Sequence, residues 1–346
     1  MSKTPDAAPT AVAAKLSWGD GPTQYFFELT PDQVMNAIEK HPVLGIKRFC
    51  TGYCQPLASF ENRVYEIEFE DEHSGVKSRH VVKFYRPGRW TEAQILEEHE
   101  FMLDIQEAEV PVVVPHYFER PGETLRTSDQ GLFYCLYPKV GGRQPEDLPK
   151  EKLEQLGRLI ARMHLVGEKK VAKHRVHLTP QTYGRASLDF LLSSGMVNPE
   201  VEKRFDQCVS EIVVRSNKLY TGQPLQRIHG DCHAGNILWN EKLGPFFIDF
   251  DDMVVGPPIQ DLWLLAPDPD QLQCLMDGYH MMYDLPPGSV KLVEALRALR
   301  MVHYATWIAK RYEDPAFKIA FPQFESPRYW VDLTIDLERQ LARIEG

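Results

Sequence analysis

His229-Gly-Asp-Cys-His-Ala-Gly-Asn236, followed by Ile237-Leu-Trp239 and, a short turn later, Phe246-Phe-Ile-Asp249, decides the reading of this chain. Ile237 to Trp239 and Phe246 to Ile248 are strand-like apolar runs, and Asn240 to Pro245 carries the polar, Gly/Pro signal of a turn. If Leu238 pairs with Phe247, Asn236 lies opposite Asp249, and directly opposed antiparallel residues hold their Cβ atoms about 5 Å apart. An amide oxygen and a carboxylate at that spacing form a hard, all-oxygen site, which suits Mg²⁺ better than zinc. Asp231, five residues before Asn236, is then free to act on a nucleophile beside the metal. Such a set of groups points to phosphoryl transfer.

The composition allows this. A chain of 346 residues has room for two domains or one large one. Hydrophobic residues at 43% and charged residues at 25% are ordinary for a soluble globular protein. A net charge of −10 argues against a broad nucleic-acid surface, so no nucleic-acid partner is expected. The six cysteines, at 50, 54, 135, 208, 232 and 274, show no CxxC. With no signal-peptide pattern at the start, they read as reduced thiols in a cytoplasmic protein. No apolar run approaches the ~20 residues of a membrane helix, so no membrane association is expected. Residues 1–24, rich in Ala, Pro and Thr, read as a mostly disordered tail, and a monomer is expected.

Along the chain, Pro31 to Ile46 reads as a short helix with Val34, Ile38 and Leu44 inward. From Leu57 the period changes to two, with Tyr65, Ile67 and Phe69 on one side and Val64, Glu66 and Glu68 on the other. The polar turn Glu70 to Gly75 leads into a second strand, Arg79 to Tyr85, completing a hairpin. Thr91 reads as the N-cap of a helix through Gln106. Gly131 to Pro138 reads as a buried strand, and Val140-Gly-Gly-Arg143 as a hinge. After Leu148 the pattern is helical, most clearly at Leu153, Leu156, Ile160 and Met163, and again over 292–310 and 329–344. The fold class expected is α+β and bilobal: a β-rich lobe over 25–139 and a larger, mainly helical lobe over 140–346.

Further residues fit the same chemistry. Lys83 lies within the apolar strand His80-Val-Val-Lys-Phe-Tyr85, where an ammonium either finds an anion or snorkels to water. Glu98 shares a helix face with Phe101, Met102 and Ile105, so its carboxylate needs a cation, for which Lys83 is a candidate. The loop Ala58-Ser-Phe-Glu-Asn-Arg63 either cradles phosphates on its N–H groups or is an ordinary polar turn. His229 reads as a loop histidine bonded to backbone, and Asp251 and Asp252 either as solvated or, for one of them, as orienting metal-bound water. Arg86 to Trp90 reads as a strand-to-helix loop. Asp261 reads as a helix cap or as a brace accepting N–H groups of the Asp231 loop. A rival reading joins His229, His233, Asp249, Asp251 and Asp252 as a two-metal hydrolase cluster, but it leaves Asn236 and Lys83 without a role.

His229-Gly-Asp-Cys-His-Ala-Gly-Asn236 with Ile248-Asp249 resembles the phosphotransferase branch of the protein-kinase-like fold, which includes aminoglycoside phosphotransferases, choline kinases and homoserine kinases. Ser59-Phe-Glu-Asn-Arg-Val-Tyr65, Val82-Lys-Phe-Tyr-Arg-Pro87, Arg89-Trp-Thr91, Ile95-Leu-Glu-Glu-His99, Gly141-Gly-Arg143 and Gln260-Asp-Leu-Trp263 make it similar to the bacterial stress-response kinases of that branch. The resemblance implies ATP-dependent phosphorylation of Ser or Thr in proteins. It implies Asp231 and Asp249 as catalytic residues, with Asn236 and Asp249 as the Mg²⁺ ligands. It also implies Lys83, paired with Glu98, on the phosphates, Ser59 over them, and Tyr134 to Tyr137 lining the adenine pocket. The chain departs from ordinary protein kinases in lacking a Gly-rich loop, in having Phe-Asp-Asp after Asp249, and in lacking Ala-Pro-Glu. Two alternatives remain open. One is a small alcohol as acceptor, a cationic one being attracted by Asp251, Asp252 and Asp261. The other is a nucleotide-sensing module, which has no need of Asp231.

Overall fold

The computed structural model describes residue 26 and residues 29–41, 43, 48–72 and 74–344; the expected tail over 1–24 and the inward placement of Leu44 lie outside them. The predicted hairpin forms the centre of a five-stranded antiparallel sheet, ordered β1-β2-β3-β5-β4. Its strands are β1 (Arg48–Leu57), β2 (Arg63–Asp71), β3 (Lys77–Phe84), β4 (Arg126–Thr127) and β5 (Phe133–Pro138). Tyr65, Ile67 and Phe69 are buried as their alternation requires, and with Val82, Phe84, Tyr134 and Leu136 they cover Val34 and Ile38 of α1 (Pro31–Glu39). Strand β1 escaped the sequence reading. Gly52 at φ +94 and a register shift between Cys50 and Cys54 break its alternation.

Helix α1 stops at Glu39 instead of continuing to Ile46, because Pro42 has no N–H and disfavours helical backbone at the residue before it. Helix α2 (Glu92–Glu107) starts where Thr91 predicted, in a capping box in which Thr91 Oγ1 accepts the Gln94 N–H and Gln94 reaches back to the Thr91 N–H. Its inward stripe of Glu98, Phe101, Met102 and Ile105 is buried.

The helical part comprises α3 (Lys150–Glu168), α4 (Ala186–Ser194), α5 (Glu202–Tyr220), α6 (Ile259–Leu265), α7 (Pro269–Tyr279), α8 (Leu292–Ala309), α9 (Pro315–Ala320) and α10 (Pro327–Leu341). One apolar core joins α2, α3, α6 and α7, and a second joins α4, α5, α8 and α10. Between them run two small antiparallel pairs: β6 (Gln226–Ile228) with β9 (Val254–Gly256), and β7 (Ile237–Asn240) with β8 (Gly244–Phe247).

The β7–β8 hairpin corrects one expectation. Ile237 pairs with Phe247 and Leu238 with Phe246, one step from the predicted register. The Ile248 N–H donates to the Asn236 carbonyl at 3.0 Å, so Asn236 faces Ile248 and Asp249 lies one residue further on. The turn explains the slip: Asn240 Oδ1 accepts the N–H groups of Lys242 and Leu243, which closes it early and pairs Asn240 with Gly244. The hairpin is tied to the segment after α2 where the Phe247 N–H donates to Pro111 O at 3.0 Å, and to the segment after β5 where the Trp239 N–H donates to Arg143 O at 2.7 Å.

Helices α3 and α7 cross so closely that a Cβ on Gly157 would fall 2.1 Å from the Leu275 carbonyl oxygen. Gly157→Val is expected to lower stability by about 3 kcal/mol, the upper end of the usual cost of overpacking, read as a shift in the urea midpoint.

Candidate active site

The Asp231 loop is shaped from behind. Asp261, in the first turn of α6 and fully buried, accepts the His229 N–H and the Gly230 N–H at 2.9 Å each. Its Oδ2 also meets His164 Nε2 at 3.0 Å, and His164 Nδ1 meets the Tyr279 hydroxyl at 2.8 Å. Asp261 is therefore the brace that the sequence offered as one of two readings. Gly230 has φ +83, and a Cβ there would fall 2.1 Å from the Asp252 carbonyl oxygen. The His229 ring meets Ile248 O through Nε2 at 3.0 Å and lies against Phe250, with centroids 4.3 Å apart, fixing the loop to the end of the hairpin.

Three polar side chains emerge from this frame. Asp231 accepts from Arg300 Nη2 at 2.7 Å on Oδ1, and its Oδ2 lies 3.4 Å from His233 Nε2. Burial alone would raise its carboxyl, but the hydrogen bond from His233 and the charge of Arg300 outweigh that and hold it well below the usual carboxylate range. Asn236 donates from Nδ2 to the Asp231 carbonyl at 2.9 Å, an amide orientation fixed by that bond, so its Oδ1 remains available. Asp249 adopts the left-handed region at φ 59, ψ 63, and its side chain is 52% exposed in the cleft. An available amide oxygen and an exposed carboxylate on one cleft wall fit a hard divalent cation.

Lys83, on β3, is buried and meets three carboxylates: Asp251 at 2.9 Å, Asp249 at 3.1 Å and Glu98 at 3.9 Å. Glu98 is thus the farthest of the three rather than the partner of first choice. It is fully buried, and burial outweighs the charges of Lys83 and Arg175, pushing its carboxyl up to about 7.

Asp251 corrects the expectation of a solvated carboxylate. It is buried, accepts Asn62 Nδ2 at 3.1 Å, and is paired with Arg89 as well as Lys83. Asp252 is paired with Arg89 at 2.5 Å. Arg86 to Trp90 is a strand-to-helix loop as expected, but Arg86 and Arg89 are buried in it, Arg86 reaching Asp314 at 3.0 Å and Glu61 at 3.2 Å. Asn62, Arg89 and Arg311, the last paired with Glu61 at 2.7 Å, were not singled out from the sequence as members of this network. Their one signal was a density of arginines and acids around residues 59–63, 86–89 and 249–252 that no surface pattern explained.

Ser59, Lys83 and Tyr137 line a pocket of about 300 Å³ closed by Leu57, Val64, Val81, Val113, Leu238 and Ile248. Within the loop the Asn62 N–H donates to Ser59 Oγ at 3.3 Å. Tyr134 is elsewhere. Residues alternate along β5, and Tyr134 faces α1, where its hydroxyl donates to Ala37 O at 2.7 Å. The two-metal reading finds no support in the geometry. His229 is turned onto backbone, Asp251 is held by cations, and among the described residues no three His, Cys, Asp or Glu side chains are grouped to hold a metal.

A sheet lobe carrying a buried lysine, set against a helical part whose loop and β7–β8 hairpin carry Asp231, Asn236 and Asp249, defines a phosphotransferase of the protein-kinase-like fold. The chain belongs to the phosphotransferase enzyme family, which it matches over residues 54–288, and it is a kinase. It is 38% identical to Stress response kinase A of Escherichia coli (strain K12) over 318 residues, 89% of this chain and 92% of that protein. It is 35% identical to Serine/threonine protein kinase RdoA of Salmonella typhimurium (strain LT2) over 311 residues, 88% and 90% of the two chains. Among solved structures, the amicoumacin kinase hAmiN in complex with AMP-PNP, Ca²⁺ and Ami superposes with a TM-score of 0.67 at 19% identity, covering 86% of this chain and 91% of that one. A microcompartment-associated aminopropanol kinase gives 0.64 at 18%, covering 90% and 98%. These two share the fold. No helix among the described residues is long and apolar enough to cross a membrane.

Two outcomes test the site's construction. Gly230→Ala is expected to lower kcat by about 10²-fold or more, the scale of misplaced catalytic groups, with the shift in KM for nucleotide remaining small. For Glu98, the folded carboxyl keeps its proton to about pH 7 while the unfolded one releases it near 4.5. The folded state therefore binds more protons in that window, and stability falls as pH rises through it. Glu98→Gln is expected to flatten this slope in urea midpoints measured between pH 5 and 8.

Proposed function

We propose that this chain transfers the γ-phosphate of Mg²⁺-ATP to a serine or threonine hydroxyl of a protein, acting in the cytoplasm as a stress-response kinase. The carrying observation is the position of Asp231. It lines an open cleft of about 530 Å³ that shares Ser59, Asn62 and Asp249 with the nucleotide pocket. A γ-phosphate lodged where the two meet would have an ionised carboxylate on its acceptor side. The names of the relatives agree with this reading, and so does the breadth of the cleft, which is walled by Tyr304, Trp307 and Phe60.

The roles follow from chemistry. Lys83 would bind phosphate oxygens in place of Asp249, with Asp251 and Glu98 behind it to keep the ammonium in place. Ser59 and its neighbours would lie over the phosphates, and Tyr137 would border the base. Asn236 and Asp249 would hold Mg²⁺, which when bound offsets negative charge on the phosphates. Asp231 would take the hydroxyl hydrogen bond, orient the oxygen and accept its proton. A loose transition state asks for little basicity before bond formation, so orientation is the larger share of this work.

Asp231→Asn is expected to keep nucleotide binding and lose on the order of 10²-fold or more in rate, while Asp249→Ala abolishes turnover. The deciding measurement is transfer of γ-labelled phosphate from Mg²⁺-ATP to generic proteins and to a panel of small alcohols, with wild type and Asp231→Asn compared. Label on serine or threonine that disappears in Asp231→Asn supports the proposal. Label confined to small alcohols replaces it with a small-molecule kinase, and no transfer despite tight nucleotide binding replaces it with a sensing module.

A further inference from the structure

The acceptor side of the cleft is formed by one face of α8. Leu296, Leu299 and Val302 point into the core, whereas Arg300, Tyr304 and Trp307, spaced i, i+4 and i+7, line the cleft. Tyr304 and Trp307 stack with centroids 5.5 Å apart, and Trp307 Nε1 donates to Glu61 at 2.8 Å, which fixes this wall to the loop that carries Ser59. Arg300 is the member of the face nearest the chemistry. Its side chain is 37% exposed, and its ion-pair partner among the described residues is Asp231.

The other charges around the cleft are committed to one another. Glu61 is paired with Arg311 at 2.7 Å, Asp251 with Lys83 and Arg89, and Asp252 with Arg89. Asp261 is spent on backbone N–H groups and His164. The acidity that the sequence offered as bait for a cationic acceptor is therefore neutralised inside the protein. Of the ionic groups facing the cleft, Asp249 belongs to the metal pair. The rest is Asp231 flanked by Arg300 on Oδ1 and His233 near Oδ2.

An acceptor hydroxyl has to reach Asp231, and both carboxylate oxygens already have neighbours. A cationic acceptor would compete with Arg300 for Oδ1 and leave the guanidinium without a partner. An acceptor with a carboxylate or phosphate beside its hydroxyl would draw Arg300 onto itself as the hydroxyl takes Oδ1, so that each charge keeps a partner throughout. We propose that Arg300 is an acceptor-specificity residue: it shields Asp231 in the free enzyme and selects acceptors with an anionic group next to the reacting hydroxyl. Resting on the protein-kinase reading above, this means a serine or threonine flanked by acidic side chains.

The test uses the full-length kinase and peptides identical except for the residues flanking a single serine, which are Asp, Ala or Lys. Glycerate, glycerol and ethanolamine run in parallel as acceptors. Wild type is expected to favour Asp-flanked over Lys-flanked peptides by about tenfold or more in kcat/KM, the scale of one interfacial charge pair. Arg300→Gln should remove this preference mainly through the peptide KM, Arg300→Glu should reverse it, and Arg300→Lys should keep part of it. Melting temperatures show whether each variant is folded.

Peptides phosphorylated without regard to flanking charge would overturn the inference and leave the protein-kinase reading standing. An equal loss of kcat on every acceptor in Arg300→Gln would also overturn it, by placing the arginine on the transferring phosphoryl group. If only the small alcohols are phosphorylated, the protein-kinase reading fails. The inference is then decided by those three: glycerate foremost supports it, and ethanolamine foremost overturns it.

Discussion

The pairing of Lys83 and Asp251 at 2.9 Å, with Arg89 on the far carboxylate oxygen, is the interaction on which the rest of the site depends. It joins a strand of the sheet to the loop after β8, more than 160 residues away in the chain. Burying such charges is costly, and the pair is not a source of stability in the ordinary sense. Its value is geometric. Removing either partner would unbalance the charges gathered with the other, Asp249 and Glu98 around Lys83 or Arg89 beside Asp251, so the two lobes are held where both partners meet. Asp251 lies two residues after Asp249, and anchoring it helps fix the left-handed turn that presents Asp249 to the cleft.

Asp261 repeats the device on the opposite side. It is wholly buried and its oxygens are taken up by two loop N–H groups and His164. Both supporting carboxylates are inside, while the two acids they position, Asp231 and Asp249, open to the cleft. The exposed acids are thus held in place by buried neighbours, the arrangement a preorganised site requires.

What the sequence disclosed and what it hid divide along the same line. Local signals were legible: the N-cap at Thr91, the alternation of Tyr65, Ile67 and Phe69, the inward stripe containing Glu98, and the β7–β8 hairpin after the Asp231 loop. Each depends on neighbours within a few positions. The hairpin register was missed by one residue because Asn240 captures two N–H groups and tightens the turn, a choice the apolar pattern does not encode. Tyr134 was grouped with Tyr137 although a strand sends neighbouring residues to opposite faces; the three-residue spacing was enough to separate them. Asp251 was read as solvated because unpaired charges ordinarily are, and Arg89 was read only as part of a strand-to-helix loop. Only the tertiary meeting of strand, loop and helix reveals that they are paired.

The crowding of acids raises a last question, which is why the right ones stay ionised. Carboxylates packed around one cleft cannot all carry charge without cations between them. Burial, reinforced by nearby acids, pushes Glu98 up to about 7 and Asp252 up to about 6, despite Lys83 and Arg89. Asp251 goes the other way: Lys83 and Arg89 overcome its burial and hold it low. Asp231 is held low by His233 and Arg300. The strain of crowding therefore falls on Glu98 and Asp252, while Asp231, on the open side of the cleft, remains an anion at neutral pH. Arg300 has a double effect here. It helps His233 keep Asp231 charged and, for as long as it stays, occupies one of its two oxygens. On the proposed role of Arg300, a site so arranged would gain its reactive form when something on the acceptor offers the arginine another anion.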